Sequence, residues 1–134
     1  MSQENVDLVL AATDAFNAGD IEWLTKFCAP DIEVFPDASA FPEAGPVHGR
    51  VEYGRWAENV ASAWIQVQWD IQERFAVVGD RVVQRGEWGG EGTASGIRAT
   101  SSITGVFTIR DRQISRIEFF FDHDRALKAV GLEE

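Results

Sequence analysis

Arg85 and Glu87 lie two residues apart in a stretch, 81–88, that alternates as a strand does, so their side chains share one face. An Arg there can bind or polarise an oxygen, with the carboxylate as base or as the group that orients one. The same pair also reads as an ordinary cross-strand salt bridge. Asp37 and His48 flank a loop over 36–49 that holds three prolines and two glycines. A carboxylate and an imidazole near a pocket mouth can shuttle a proton; two solvated loop residues are the plainer reading. Asp122, His123 and Asp124 form a short polar cluster, in which Asp122 or Asp124 can equally cap a following helix. With two histidines and one cysteine the chain carries no metal-ligand signature. Gly89-Gly90-Glu91-Gly92 lacks the lysine of a phosphate loop and joins strand to strand, so no cofactor is expected. Five tryptophans, at 23, 56, 64, 69 and 88, suit either core packing or the stacking of flat organic ligands.

These residues need a frame. Residues 97–110 and 113–122 read as two long strands joined by a tight turn at Asp111-Arg112, the centre of a sheet. Ile103, Gly105, Phe107 and Ile109 share one face of the first; Ile117, Phe119 and Phe121 share one face of the second, and Phe120 makes that strand apolar on both sides. Val6, Val9, Leu10, Thr13 and Phe16 repeat at helical spacing and predict a helix over 2–18. Asp20 caps a second helix over 21–28, which Pro30 ends. Tyr53, Trp56, Ala57, Val60, Ala61 and Trp64 give a third helix over 50–64. Further strands are expected over 31–35, 67–77 and 81–88, a flexible connection over 89–96, and a last helix over 124–130. Helices first and hairpin-linked strands after argue an α+β fold, with helices packed on one face of an antiparallel sheet.

The totals narrow the function. A chain of 134 residues, 45% apolar and 25% charged, makes one globular domain. The net charge of −10 argues against nucleic acid or an anionic membrane surface as partner. A single cysteine fits a reducing, cytoplasmic setting, and neither a signal peptide nor a membrane span is expected.

Three segments carry a resemblance: Phe16-Asn17-Ala18-Gly19-Asp20 with Phe27-Cys28-Ala29-Pro30-Asp31-Ile32-Glu33-Val34; Val47-His48-Gly49-Arg50; and the ending from Arg116-Ile117-Glu118-Phe119-Phe120-Phe121-Asp122 to Ala126-Leu127-Lys128-Ala129-Val130-Gly131-Leu132. In this order they resemble the nuclear transport factor 2-like superfamily and its SnoaL-like branch, over nearly the whole chain as one domain, 1–134. The resemblance implies a cone-shaped, strongly curved antiparallel sheet wrapped over three helices, a deep cavity, and a homodimer packed through the sheet face. Relatives include ketosteroid isomerase, limonene epoxide hydrolase, polyketide cyclases and binding-only proteins, so the reaction must be argued from the site. The isomerase chemistry itself is not expected. By alignment on Asn17-Ala18-Gly19-Asp20, its oxyanion-hole tyrosine, catalytic aspartate and protonated aspartic acid fall on Ala12, Pro36 and Gly105.

The same alignment turns Val83, Arg85 and Glu87 into the cavity and makes Trp56 its best aromatic wall. A small apolar organic ligand is then expected between the first helix, with Phe16, and the inner strand faces. Phe107, Phe119 and Ile117 supply the apolar wall and Arg85 and Glu87 the polar end. An outer face carrying Val106, Phe120 and Trp88 would pair two copies. Three functions stay open: an acid–base enzyme of cyclase, isomerase or hydrolase type, a ligand-binding or carrier module, and an interaction scaffold. A polar pair on the pocket floor favours the first, a wholly apolar pocket the second, and a pocket filled by Trp and Phe the third.

Overall fold

The protein is described here from a computed structural model. The structure describes residues 2–18, 20–35, 46–92 and 98–131, with the side chains of 2, 17, 60–78 and 87–102 left aside. Four helices and six strands follow one another: α1 (Ser2–Asn17), α2 (Ile21–Lys26), β1 (Cys28–Phe35), β2 (Val47–His48), α3 (Arg50–Ala63), β3 (Trp64–Val78), β4 (Arg81–Gly92), β5 (Arg98–Arg110), β6 (Gln113–Phe120) and α4 (His123–Ala129). The sheet runs β2-β1-β6-β5-β4-β3. It is the curved, open α+β sheet that the sequence implies. One neighbour departs from the antiparallel rule: β1 pairs with β6 in parallel.

Several boundaries shift for local reasons. β1 starts at Cys28, so Pro30 lies inside a strand. It is tolerated because the β1–β6 ladder is interrupted between Cys28 and Glu33, where a missing N–H costs no ladder bond. β3 begins at Trp64 with no turn after α3. Residues 89–92 extend β4 instead of forming a loose connection, Gly89 pairing with both β3 and β5, Gly90 with β5 and Gly92 with β3. Asp20 caps α2, its carboxylate accepting from the Trp23 N–H at 3.0 Å. Asp122 caps α4, accepting from Asp124 at 3.0 Å and Arg125 at 3.4 Å, which gives the Asp122-His123-Asp124 cluster a structural use.

The helices α1, α2 and α3 cover one sheet face. Val9, Ala12 and Phe16 of α1, Leu24 of α2, and Tyr53 and Ala57 of α3 pack with Val82, Ile103, Phe107, Ile109, Ile114 and Ile117 in one core. Each fully buried aliphatic side chain contributes about 1.5–3 kcal/mol. The other face carries a smaller cluster, in which Val83 and Val106 lie under Ala126 and Val130 of α4. Helices therefore occupy both faces. Val106, expected on a free outer face, is fully covered by α4 of its own chain. Trp88, also expected on that face, has its side chain outside the described residues.

The tight turn between β5 and β6 has both central residues left-handed, Asp111 at φ 52° and Arg112 at φ 63°. That geometry matches the twist of a two-residue hairpin, but it presses an L side chain against the backbone. Arg112→Gly is expected to stabilise the protein by about 0.5–1 kcal/mol. A urea midpoint that fails to rise would show that Arg112 repays its strain through contacts of its own.

Candidate functional site

The pairing of β4, β5 and β6 sorts the candidate residues onto two faces. Val82 stands beside Phe107, and Phe107 beside Ile117; Gln84 stands beside Gly105, and Gly105 beside Phe119. Neighbours across a ladder share a face, and Val82, Phe107 and Ile117 belong to the core under the helices. The alternate rows, Val83–Val106–Glu118 and Arg85–Thr104–Phe120, point to the other side. There the Thr104 hydroxyl is hydrogen-bonded to Nδ1 of His123 in α4 at 2.9 Å.

The expected inward face of Val83 and Arg85 is thus corrected. Val83 is buried against α4, and Arg85 shares its parity. Arg85 is half-buried, with its Nε enclosed and without a hydrogen-bond partner among the described residues. The side chain of Glu87 lies outside the described residues, as does Asp37 altogether. His48 sits on the edge strand β2 with its side chain 64% exposed. Its Nδ1 is 3.6 Å from Glu33 Oε2, and its backbone N–H donates to Glu52 Oε2 at 3.0 Å. It braces the start of α3 and does not line the interior.

Phe16, Trp56, Phe107, Ile117 and Phe119 do come together, around an interior opening completed by Ala12, Thr13, Leu24, Cys28, Tyr53 and Ile114. Three aromatic rings stand in a row: Tyr53 stacks on Trp56 at 5.9 Å, and Trp56 on Phe119 at 6.1 Å. Their packing leaves about 30 Å³. That is room for about two waters, against roughly 300 Å³ or more in a common small-molecule site.

What positions this wall is a joint between α2, β1 and α3. Gly49, at φ 90°, turns the chain into α3 while its N–H donates to the Ile32 carbonyl at 2.7 Å. Arg50 then donates from Nε at 3.1 Å and from Nη2 at 2.7 Å to the carbonyl of Cys28. This forked contact anchors the first turn of α3, and about one and two turns further along stand Tyr53 and Trp56.

The polar atoms of the lining are committed to the fold. Thr13 returns its hydroxyl proton to the Val9 carbonyl at 2.9 Å, and the Cys28 thiol points to the Leu24 carbonyl at 3.6 Å. Burial pushes the Cys28 thiol up from 9.0 to about 12, only partly offset by the Arg50 charge. Burial, reinforced by nearby Cys28, also pushes the Tyr53 hydroxyl above its ordinary range. Neither group is ionised at neutral pH, so neither is a base or an activated nucleophile there.

One inward residue escaped the sequence reading. Gln84 is fully buried, and neither its Nε2 nor its Oε1 has a hydrogen-bond partner among the described residues. The signal that could have found it was the inward parity of Phe107 carried across the ladder to Val82, and from there two residues along the strand.

Both raised groups hold their protons more tightly folded than unfolded. Their stabilising contribution is complete below the unfolded thiol value of 9.0 and is lost as pH rises towards about 12. Urea midpoints should therefore fall from about pH 8 to about pH 11, and the fall should be shallower in Cys28→Ala. Thiol reagents at about pH 8 should leave the native protein unlabelled and react fully once it is unfolded. Rapid labelling of the native protein would contradict the burial of Cys28.

Comparison with known proteins agrees with this architecture. A candidate polyketide cyclase from Sinorhizobium meliloti is 28% identical, with 85% of this chain and 94% of that one covered at a TM-score of 0.68. TerC co-crystallised with polyporic acid is 24% identical, with 95% and 97% covered at 0.77, and an NTF2-like protein from Burkholderia pseudomallei is 20% identical, with 96% and 98% covered at 0.78. Among curated proteins none matches the chain. The model of the SnoaL-like domain matches residues 9–117, most of the chain, and the protein belongs to that family.

Proposed function

We propose that this protein binds a small, uncharged, mostly apolar organic molecule in the interior between α1, α3 and the inner faces of β5 and β6. The observation that carries this reading is the lining: a stacked row of Tyr53, Trp56 and Phe119 facing Phe16, Phe107 and Ile117, with no group ionised at neutral pH among the described residues. Such a wall rewards a planar apolar molecule by dispersion and burial and penalises a charged one. With only about 30 Å³ open, the ligand makes its room by turning the rings of Trp56 and Phe119 aside. TerC, of the same fold, was crystallised with polyporic acid, which is in keeping with an interior that receives small molecules.

A second reading, an acid–base enzyme of cyclase, isomerase or hydrolase type, draws on the likeness to the candidate polyketide cyclase. It needs a base that the described lining does not supply; Asp37 and the side chain of Glu87 are outside the described residues. Arg85 serves it only from the α4 side of the sheet. A homodimer through the sheet face also remains our proposal. Its support among the described residues is half-buried Phe120, since Val106 is covered. The single cysteine is free and buried, in keeping with a reducing, cytoplasmic setting, and no helix among the described residues is long and apolar enough to cross a membrane.

Calorimetric titration with 1-naphthol tests the binding reading. Saturable binding with a negative heat-capacity change is expected. Ala12→Leu, which fills the opening from α1, should weaken it about tenfold or more while costing about 1–3 kcal/mol of stability. No saturable heat with the wild-type protein, or equal affinity in a folded Ala12→Leu, would overturn the interior site.

A further inference from the structure

Gln84 is the residue that nothing else in the molecule explains. Its side chain is fully buried, yet both polar atoms of its amide lack a partner among the described residues. A buried amide left without partners is costly, and such groups mark a place where something else supplies the bonds. Its setting points the same way. Gln84 lies on the inner face of β4, two residues from core Val82. Its neighbour on β5 is Gly105, which contributes no side chain, and beyond Gly105 stands Phe119, whose ring stacks on Trp56. Across two strand spacings, about 10 Å, the inner face therefore offers an amide, a bare backbone step and an aromatic wall.

We propose that Gln84 is the polar anchor of the interior site, hydrogen-bonding a carbonyl, amide or hydroxyl group on an uncharged planar ligand whose apolar body lies against Phe119 and Trp56. This rests on the binding reading above and assigns its specificity. A primary amide offers two donors and an acceptor and no charge. It can pair on both atoms with a neutral carboxamide, or through its NH2 alone with a ketone, but cannot neutralise a carboxylate, and no cation lines the opening among the described residues. The ligand class is thus the neutral aromatic ketone, amide or phenol, and not the organic acid that an inward Arg85 would have selected.

The test compares probes of one shape: acetophenone, its isostere α-methylstyrene in which =CH2 replaces =O, and benzoate. Affinities are measured by calorimetry on wild-type protein and on Gln84→Met, which keeps the volume and removes the amide. Wild-type protein should prefer acetophenone to α-methylstyrene by about tenfold and bind benzoate weakest. Gln84→Met should lose the preference to within about twofold and melt at the same temperature or higher, because an unpaired amide has left the core. An unchanged preference in Gln84→Met places the anchor elsewhere. A Gln84→Met that melts several degrees lower or fails to fold shows that the amide serves the fold, and overturns the proposal. On wild-type protein alone, the Gln84 side-chain NH2 signals should shift with acetophenone and stay with α-methylstyrene; equal response to both also overturns it. Binding of all probes without discrimination sinks this inference and leaves the interior site standing, whereas no binding of any probe or of 1-naphthol sinks both.

Discussion

The parity of the β5–β6 hairpin is the constraint on which the rest of this molecule depends. A sheet has two faces, and a shift of one residue exchanges every side chain between them. Here the two-residue turn at Asp111-Arg112, with left-handed backbone at two ordinary side chains, and a one-residue register shift between the Ile109–Ile114 and Thr108–Arg116 pairs together set Phe107 beside Ile117 and Gly105 beside Phe119. Once those four face the helices, β4 has no freedom left. Val82 and Gln84 must look inward, and Val83 and Arg85 must look towards α4. The chemical character of the interior follows from this pairing: a neutral amide where the other register would have placed a guanidinium.

The second requirement is that α3 present its rings at the right height. The helices touch the sheet mainly through apolar contacts, which resist sliding only weakly. The directional element is the forked contact of Arg50 on the Cys28 carbonyl, together with the Gly49 N–H on the Ile32 carbonyl. Both tie the start of α3 to β1 and its approach from α2. α2 and α3 approach closely at Gly54, where a Cβ would stand 3.3 Å from Thr25 Cγ2. The backbone that carries Tyr53 and Trp56 is thereby anchored to β1, and their rings begin the stack that continues to Phe119.

Much of this was legible in the sequence, for identifiable reasons. Period 3.6 in α1 and α3, period 2 in β5 and β6, and the capping aspartates at 20 and 122 are local signals, and local signals decided those elements. The inward parity of Ile117 was readable because Arg116 and Glu118 on either side of it are charged. β4 offered no such contrast. Val82 and Val83 are both apolar and both buried, one in each cluster, so alternation carries no sign there. The face of Arg85 and Glu87 was therefore borrowed from an alignment, and for Arg85 the borrowed face was wrong by one residue. The covering of Val106 by α4 was likewise beyond reach, since a seven-residue helix after a turn does not announce which sheet face it will fold onto.

The two faces of β4 divide the polar labour of the molecule, and this bears on binding against catalysis. Among the described residues, Arg85, Glu118 and His123, all able to carry charge, lie on the α4 face, where water still reaches them in part and where Thr104 already engages the imidazole. Among the described residues, the face under the helices keeps neutral polar groups: Thr13 and Cys28 spent on backbone carbonyls, Tyr53 locked in its protonated form, and Gln84 unspent. Proton transfer needs a group whose charged form is accessible near neutral pH, and desolvation in this lining opposes every such form. Recognition needs the reverse, a dry wall with one unsatisfied neutral contact, because a ligand that completes that contact recovers a bond that water cannot offer inside. The described interior has the second character, and the chemistry of any reaction would have to be brought by the ligand's own reactivity or by residues beyond this wall.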